Sequence, residues 1–383
     1  MKFTIQRQAF INQLNHVSRA IPVKATIPVL TGIKIEVSQE GLRLIGSDSE
    51  ISIESFIDIK DEQYQLQVEQ EGSIVVTARL FNDIIRKLPT NDVTLSADEQ
   101  FVLTITSGKA VFTLNGMNGN TYPQLPTIEE NHKVKLPTLL FKEMINQTIF
   151  SASNQESRPI LTGLHFSAHD EYIIGVATDS HRLSRREIPV AYSQAELNFD
   201  NMTIPKKTVI ELTRIVEDEQ NLYMTIADKQ VIFNVDNLVI YSRLLEGNYP
   251  DTQRLIPQAN DIEIVVDSNV LLSAIDRASL LSHQGKNNVV QLHLENNQVE
   301  LSVNSNERGQ ASEAIDVKST KGSEIKISFN PDYMKDALKA FGGVDVVLGF
   351  QSNVRPILIT AVESSQQAHN DSLQLLTPIR THQ

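Results

Sequence analysis

The chain contains no cysteine. That single absence excludes disulfides, thiolate metal sites, iron–sulfur clusters and cysteine nucleophiles, and it fits a reducing compartment. Tryptophan is also missing, and only 22 of the 383 residues are aromatic; they are not interleaved with the basic residues, which disfavours a surface built to stack unpaired bases. No run of 18 apolar residues occurs, so nothing reads as a membrane-spanning helix. The opening Met1-Lys2-Phe3-Thr4 leads into neither a signal-peptide core nor a small-residue cleavage site. A cytoplasmic protein with no membrane partner is expected. A basic surplus is lacking too. The 34 lysines and arginines against 47 aspartates and glutamates leave a net charge of −13, which at face value argues against nucleic acid.

Catalytic patterns are equally scarce. There is no phosphate-cradling Gly-x-x-x-x-Gly-Lys loop, no Gly-x-Gly-x-x-Gly after a strand and no Gly-x-Ser-x-Gly elbow. His165 and His169 are four apart, but their segment reads as strand and turn, a poor frame for a metal. The turn Asp48-Ser49-Glu50 is too short for a calcium loop. Asp179, Ser180 and His181 are adjacent in one turn, where their side chains cannot readily converge as a triad. No catalytic residue, metal or cofactor is expected, and the protein is read as a non-enzyme.

What the sequence does contain is a threefold repeat. Short strands ending near Ile5, Leu136 and Val266 each precede a helix-period segment, with steps of 131 and 130 residues. A second helix recurs around Phe81, Val209 and Met334, with steps of 128 and 125. Six helices are predicted, over 6–21, 78–88, 137–152, 205–216, 268–281 and 331–341. Pro205 and Pro331 are expected in first turns, where proline is tolerated. The rest alternates with period two, as antiparallel strands with one wet face do. Gly119-Asn120-Thr121-Tyr122-Pro123 and Gly247-Asn248-Tyr249-Pro250 close the first two repeats. The fold class is α+β, in three like domains of two helices and antiparallel sheets: 1–128, 129–257 and 258–383.

Charge is segregated within that pattern. The helices carry Arg7, Arg19, Arg79, Arg86, Lys87, Lys142, Lys206, Lys207, Arg214, Arg277, Lys335 and Lys339 against six acids. Their balance is +6, so the remainder carries −19. Basic helices on an acidic body can hold a polyanion on one face only. Without a dense basic run or a sequence-reading motif, such contact is diffuse and not sequence-specific. The turn Ala177-Thr178-Asp179-Ser180-His181-Arg182-Leu183 differs from its counterparts Gly46-Ser47-Asp48-Ser49-Glu50-Ile51 and Val303-Asn304-Ser305-Asn306-Glu307. Only the middle copy has His-Arg-Leu, and it reads as a polar-rimmed docking site for another protein.

These residues carry a family resemblance. Met1-Lys2-Phe3-Thr4, Thr26-Ile27-Pro28-Val29-Leu30, Arg158-Pro159-Ile160-Leu161-Thr162-Gly163, Ala177 to Leu183, Tyr249-Pro250-Asp251 and Thr377-Pro378-Ile379-Arg380 follow in that order. Over essentially its whole length the chain resembles the β-subunit family of bacterial DNA polymerase III, the DNA sliding clamps. The resemblance implies a crescent of three clamp domains that closes into a ring as a head-to-tail homodimer, with twelve helices around the hole. It implies a cytoplasmic processivity factor of the replisome and nucleoid. Its partners would be double-stranded DNA, the replicative polymerase, the clamp loader, and repair polymerases and mismatch-repair factors through short peptides.

The resemblance also assigns residues. The partner-peptide pocket would comprise Leu161, Thr178, Ser180, His181, Arg182, Leu183, Pro250, Arg254, Leu255, Leu375, Leu376, Pro378, Ile379 and Arg380. Such a pocket suits an extended segment with aliphatic or aromatic anchors and a glutamine. Ser180 departs from a glycine common in the family motif, and Thr377 from an apolar residue. DNA contacts would fall on Lys24, Arg79, Gln155, Arg158, Lys206 and Lys207, and the dimer interface on Phe112, Leu280 and Leu281. The tail runs on as Thr381-His382-Gln383.

Overall fold

The structure is a computed structural model. It describes residues 1–125, 133–169, 171–190, 199–227, 229–282, 288–305, 309–362 and 372–380. The domain boundary expected near 129, the third-repeat turn residues Asn306 and Glu307, and the Thr381-His382-Gln383 tail lie outside the described residues.

Six helices form among the described residues where apolar spacing predicts them: α1 (Arg7–Ser18), α2 (Ala78–Lys87), α3 (Thr138–Thr148), α4 (Lys206–Ile215), α5 (Ser268–Ser282) and α6 (Pro331–Lys339). Each buries one stripe. In α1 this is Phe10, Gln13, Leu14 and Val17, and in α6 it is Pro331, Met334, Ala337 and Leu338. Capping sets the starts. Gln6 Oε1 accepts from the Ala9 amide at 2.6 Å, and Asn330 Oδ1 accepts from the Asp332 amide at 2.9 Å, just ahead of Pro331. Several expected ends are too long. α1 stops at Ser18, α3 gives way to a 3-10 turn over Ile149–Ser151, and α6 stops at Lys339. Pro205 is not in a first helical turn: it ends the strand Phe199–Pro205.

The chain divides into two compact units. The first comprises Met1–Thr138, Ser193–Ala195 and Ile210–Leu244. It holds a five-stranded sheet with Ala110–Asn115 at one edge, and a nine-stranded antiparallel sheet. In the nine-stranded sheet, Ile51–Asp58 from the first sequence repeat pairs with Leu238–Arg243 from the second, with Ser52 opposite Tyr241. Phe3, Phe10 and Phe81 meet edge to face in the core, with centroids 6.3 and 6.1 Å apart.

The second unit comprises Leu139–Tyr192, Glu196–Val209 and Leu245–Gln383. Its nine-stranded sheet is built the same way. Arg182–Pro189 from the second repeat pairs with Ser372–Leu376 from the third, with Leu183 opposite Leu375. A four-stranded sheet completes the unit, with Gly309–Ile315 at its edge. The main core joins Leu271, Ile275, Phe329, Leu338, Phe341 and Leu376 with their neighbours. The units therefore cut across the repeats, because strand ladders bind one repeat to the next inside each unit.

Both seams carry buried polar contacts on their helix side. In the first unit Ser55 Oγ donates to Gln13 Oε1 at 2.8 Å, and Gln13 Nε2 donates to the Tyr64 hydroxyl at 2.7 Å. In the second, Ser151 and Ser184 share a 2.6 Å bond, and Ser184 donates to Gln374. Replacing Gln13 by leucine removes the main partner of two buried hydroxyls. The expected cost is about 1–3 kcal/mol, seen as a lower thermal midpoint, with part of the loss recovered when Ser55→Ala is added.

Candidate peptide groove and cationic helices

The divergent turn of the second repeat lies at the tip of a hairpin between Tyr172–Thr178 and Arg182–Pro189. Ser180 there has φ of 77° and Ser49 in the first repeat has φ of 80°. A glycine would hold that left-handed turn without strain; serine gives up about 1 kcal/mol. Side chains then close the tip. Thr178 Oγ1 donates to the Arg182 carbonyl at 2.6 Å, and Asp179 Oδ1 accepts from the His181 and Arg182 amides at 2.9 and 3.0 Å.

Strand alternation sorts the residues beyond the tip. Leu183 lies opposite Leu375, and Leu375 opposite Leu358. With Val176 they form a small apolar cluster separate from the main core, flanked by Ile174, Tyr249, Ile256 and Leu373. Leu376 belongs to the main core, so this cluster lies on the other face of the sheet. The linker residue Tyr249 is pinned over it. Its ring stacks on His165 at 4.2 Å and 8°, and its hydroxyl donates to the Val176 carbonyl at 3.4 Å. Burial pushes the Tyr249 phenol up and the His165 imidazole down to about 4.

Most pocket residues named from the resemblance fall around this cluster or on the segments framing it. Thr178, Leu183 and Leu375 are buried, and Ser180 and His181 are exposed at the hairpin tip. On the linker Pro250 is exposed, Leu255 is 54% exposed, and Arg254 pairs with Asp251 at 2.7 Å. Leu161 is buried in the turn Pro159–Thr162. In the tail, Pro378 is buried, the Ile379 amide donates to the Ser328 carbonyl at 2.7 Å, and Arg380 is exposed. Two assignments need correction. Arg182 and Leu376 are opposite one another and point to the helix side, because they alternate with Leu183 and Leu375. Arg182 donates there to Asp336 of α6 at 2.6 Å. Sequence reading missed Val176, Leu358 and Tyr249; two-residue alternation along the strands was the available signal for the first two.

The first unit has the same seam with different chemistry. Ser52 and Tyr241 take the places of Leu183 and Leu375. A cavity of about 230 Å³ there is lined by Ser47, Glu50, Tyr241, Arg243, Pro123 and Leu125 among others. Pro123 and Leu125 give this cavity an aliphatic part, but hydroxyls and charges replace the facing leucines of the second seam.

Several of the helical bases are paired in place. Arg19 and Arg214 both pair with Glu211, at 3.0 and 2.7 Å, Arg277 pairs with Glu313, and Lys335 lies 3.4 Å from Asp276 and 3.2 Å from Asp332. Arg79, Lys87 and Lys339 have no acidic partner among the described residues. Lys24, Gln155, Arg158 and Lys207 are exposed. Arg158 reaches Ser180 Oγ at 3.4 Å, and Lys206 reaches Asn154 Oδ1 at 3.3 Å. Burial and the neighbouring Arg182 lower the Lys206 ammonium, against the pull of Asp336 and Asp179. The field of twelve bases read from the sequence is thus partly neutralised in place. No group of metal-ligating side chains occurs among the described residues.

The apolar residues named for the dimer interface are mostly exposed. Val111 and Phe112 on the edge strand Ala110–Asn115 are 61% and 41% exposed, and Leu280 of α5 is 72% exposed. Leu281, by contrast, packs against the main core.

Repeated pairs of helices on antiparallel sheets, joined repeat to repeat by strand ladders, define a DNA-clamp architecture. Family models for the N-terminal, central and C-terminal domains of the DNA polymerase III beta subunit match residues 1–126, 135–251 and 253–374. A beta sliding clamp of Bacillus subtilis is 43% identical, with all of both chains covered. The solved DNA polymerase III beta chain of Streptococcus pneumoniae superposes with a TM-score of 0.95 at 38% identity, covering 99% of this chain and 100% of that one. The solved Bacillus subtilis sliding clamp gives 0.94 at 43% identity, with both chains fully covered. The chain belongs to the DNA polymerase III beta subunit family, the beta sliding clamps.

The His165–Tyr249 stack generates a pH prediction. His165 is held neutral from its ordinary 6.5 down to about 4. In that window the unfolded chain binds a proton that the folded chain refuses, so stability falls as pH falls. His165→Phe keeps a ring against Tyr249 without the titration. Its thermal midpoint should drop less than the wild-type midpoint between pH 6.5 and pH 4, while near pH 8 the two slopes agree.

Proposed function

We propose that two copies of this chain close head to tail into a ring around duplex DNA, and that the ring tethers polymerases to DNA without being an enzyme itself. One observation carries the reading. Each internal seam joins the hairpin strand after the repeat's polar turn to the last strand of the next repeat: Ile51–Asp58 to Leu238–Arg243, and Arg182–Pro189 to Ser372–Leu376. The first repeat's last long strand, Ala110–Asn115, and the third repeat's hairpin strand, Gly309–Ile315, are left as sheet edges. They are the matching halves of a third seam, which only a second copy can supply. The five-stranded and four-stranded sheets would then join into a sheet like the two nine-stranded ones. A two-fold axis makes two such contacts equivalent and closes the ring. Exposed Phe112 and Leu280 fit that interface, with Leu281 behind them.

The domains run 1–128, 129–257 and 258–383. Lys24, Arg79, Gln155, Arg158, Lys206 and Lys207 face the DNA as a loose electrostatic lining. Retention is topological, so phosphate contacts stay weak enough to slide. The apolar groove of the second seam takes short extended peptides from the replicative polymerase, the clamp loader, repair polymerases and mismatch-repair factors, in the cytoplasm at the nucleoid.

The closing experiment uses labelled protein loaded by the cognate clamp loader and ATP onto nicked circular duplex. Stable retention on the circle and rapid loss after one restriction cut is the expected result. Equal retention on both forms would mean ordinary affinity binding and would sink the ring. The interface predicts its own outcome. Leu280→Ala with Leu281→Ala removes roughly 1–2 kcal/mol per leucine at each of the two contacts and should raise the dimer Kd by about a thousandfold or more. Sedimentation at micromolar protein would then show monomers.

A further inference from the structure

Arg182 is fully engaged on the helix side of its sheet. Its Nε donates to Asp179 Oδ2 at 3.0 Å, one terminal nitrogen donates to Asp336 Oδ2 at 2.6 Å, and the other to the Phe150 carbonyl at 2.6 Å. The guanidinium lies 4.4 Å from the Tyr333 ring centroid and 5.6 Å from that of Phe150. Its side chain is 12% exposed. Reaching a peptide on the opposite face would break three charge-assisted bonds and two ring contacts. Its backbone, however, belongs to the groove. The Arg182 carbonyl accepts from Thr178, the Arg182 amide donates to Asp179, and the next residue is Leu183. The end of the hairpin that carries Thr178 and Leu183 is therefore tied to α6 through one side chain.

We propose that Asp336 of α6 is a positioning residue for the peptide groove, acting through Arg182 from the opposite face of the sheet. The inference rests on the groove reading above. The ligand class is a short extended peptide with apolar anchors, which needs Leu183 held in line with Leu375 and Leu358. Without the Asp336 carboxylate the guanidinium keeps one anion, Asp179, on its own hairpin, and loses its charged link to the helix. Leu183 keeps its ladder partner Leu375, but the hairpin end that carries it is held less firmly and its fit to a peptide loosens. Lysine cannot replace arginine here, because a single ammonium cannot span Asp179, Asp336 and the Phe150 carbonyl with forked geometry.

The test is fluorescence anisotropy of a labelled short peptide, with a glutamine at one end and leucine and phenylalanine at the other, titrated with the full-length protein. Asp336→Asn should weaken binding by about tenfold, with a thermal midpoint close to wild type. Asp336→Glu should restore most of the affinity, a rescue that a general loss of packing would not show. Arg182→Lys should lose as much as Asp336→Asn, and the double variant no more than either. Amide exchange over 178–183 should quicken in Asp336→Asn. Wild-type affinity in Asp336→Asn alongside a loss in Arg182→Lys would mean that Arg182 touches the peptide directly, and the proposal fails. Additive losses would overturn it as well. Leu183→Ala separates the two readings. If it binds as wild type, the groove is not the peptide site and both fall; if it loses affinity while Asp336→Asn does not, only the positioning role falls.

Discussion

The structure depends on strand pairing between successive repeats. A repeat by itself offers half-sheets with open edges, and an open edge is a row of unsatisfied backbone donors and acceptors. Pairing Ile51–Asp58 with Leu238–Arg243, and Arg182–Pro189 with Ser372–Leu376, satisfies those groups inside the chain. The pairing is register-specific, because a shift of one residue would exchange the two faces of each strand. Contacts across each seam hold that register: Asn237 Nδ2 donates to the Phe56 carbonyl at 3.2 Å at the first, and Ser184 donates to Gln374 at the second. Ladder, alternation and buried polar pairing therefore agree on one arrangement.

From that register follows the division of labour between the two sheet faces. At the second seam, Leu183 and Leu375 face the small apolar cluster, while Arg182 and Leu376 face the helices. One hairpin thus supplies both the wall of a groove and an anchor to α6. The first seam repeats the geometry with Ser52 and Tyr241 and so lacks the facing leucines. Duplication supplied the scaffold twice; side-chain chemistry made only one copy a place for aliphatic residues.

Charge follows the same logic at lower resolution. Helices carry the basic excess and the rest of the chain carries acid. Several of those bases are spent locally, as with Arg19 and Arg214 on a shared Glu211. What remains is a sparse field, suited to holding a polyanion loosely. A dense, unpaired lining would grip phosphate and oppose sliding.

Local and periodic features follow from residue order alone. The number and approximate places of the helices, the alternating strands, the repeat spacing, the segregation of charge and the oddity of the 177–183 turn were all legible. Each is set by neighbours within a few positions, through helical period, strand alternation or turn chemistry. Helix ends were read less well, and Pro205 was misplaced by one element, since capping and strand pairing decide such limits. Which repeat lends strands to which, and on which face a residue ends up, depend on contacts far apart in the chain. Arg182 was legible as unusual but not as a link to Asp336, which lies far along the chain in α6. Val176 and Leu358 looked like ordinary strand residues until the ladders brought them beside Leu183 and Leu375. The physical reason is that spacing fixes the period of a strand, whereas the partner across the ladder fixes what its side chains meet.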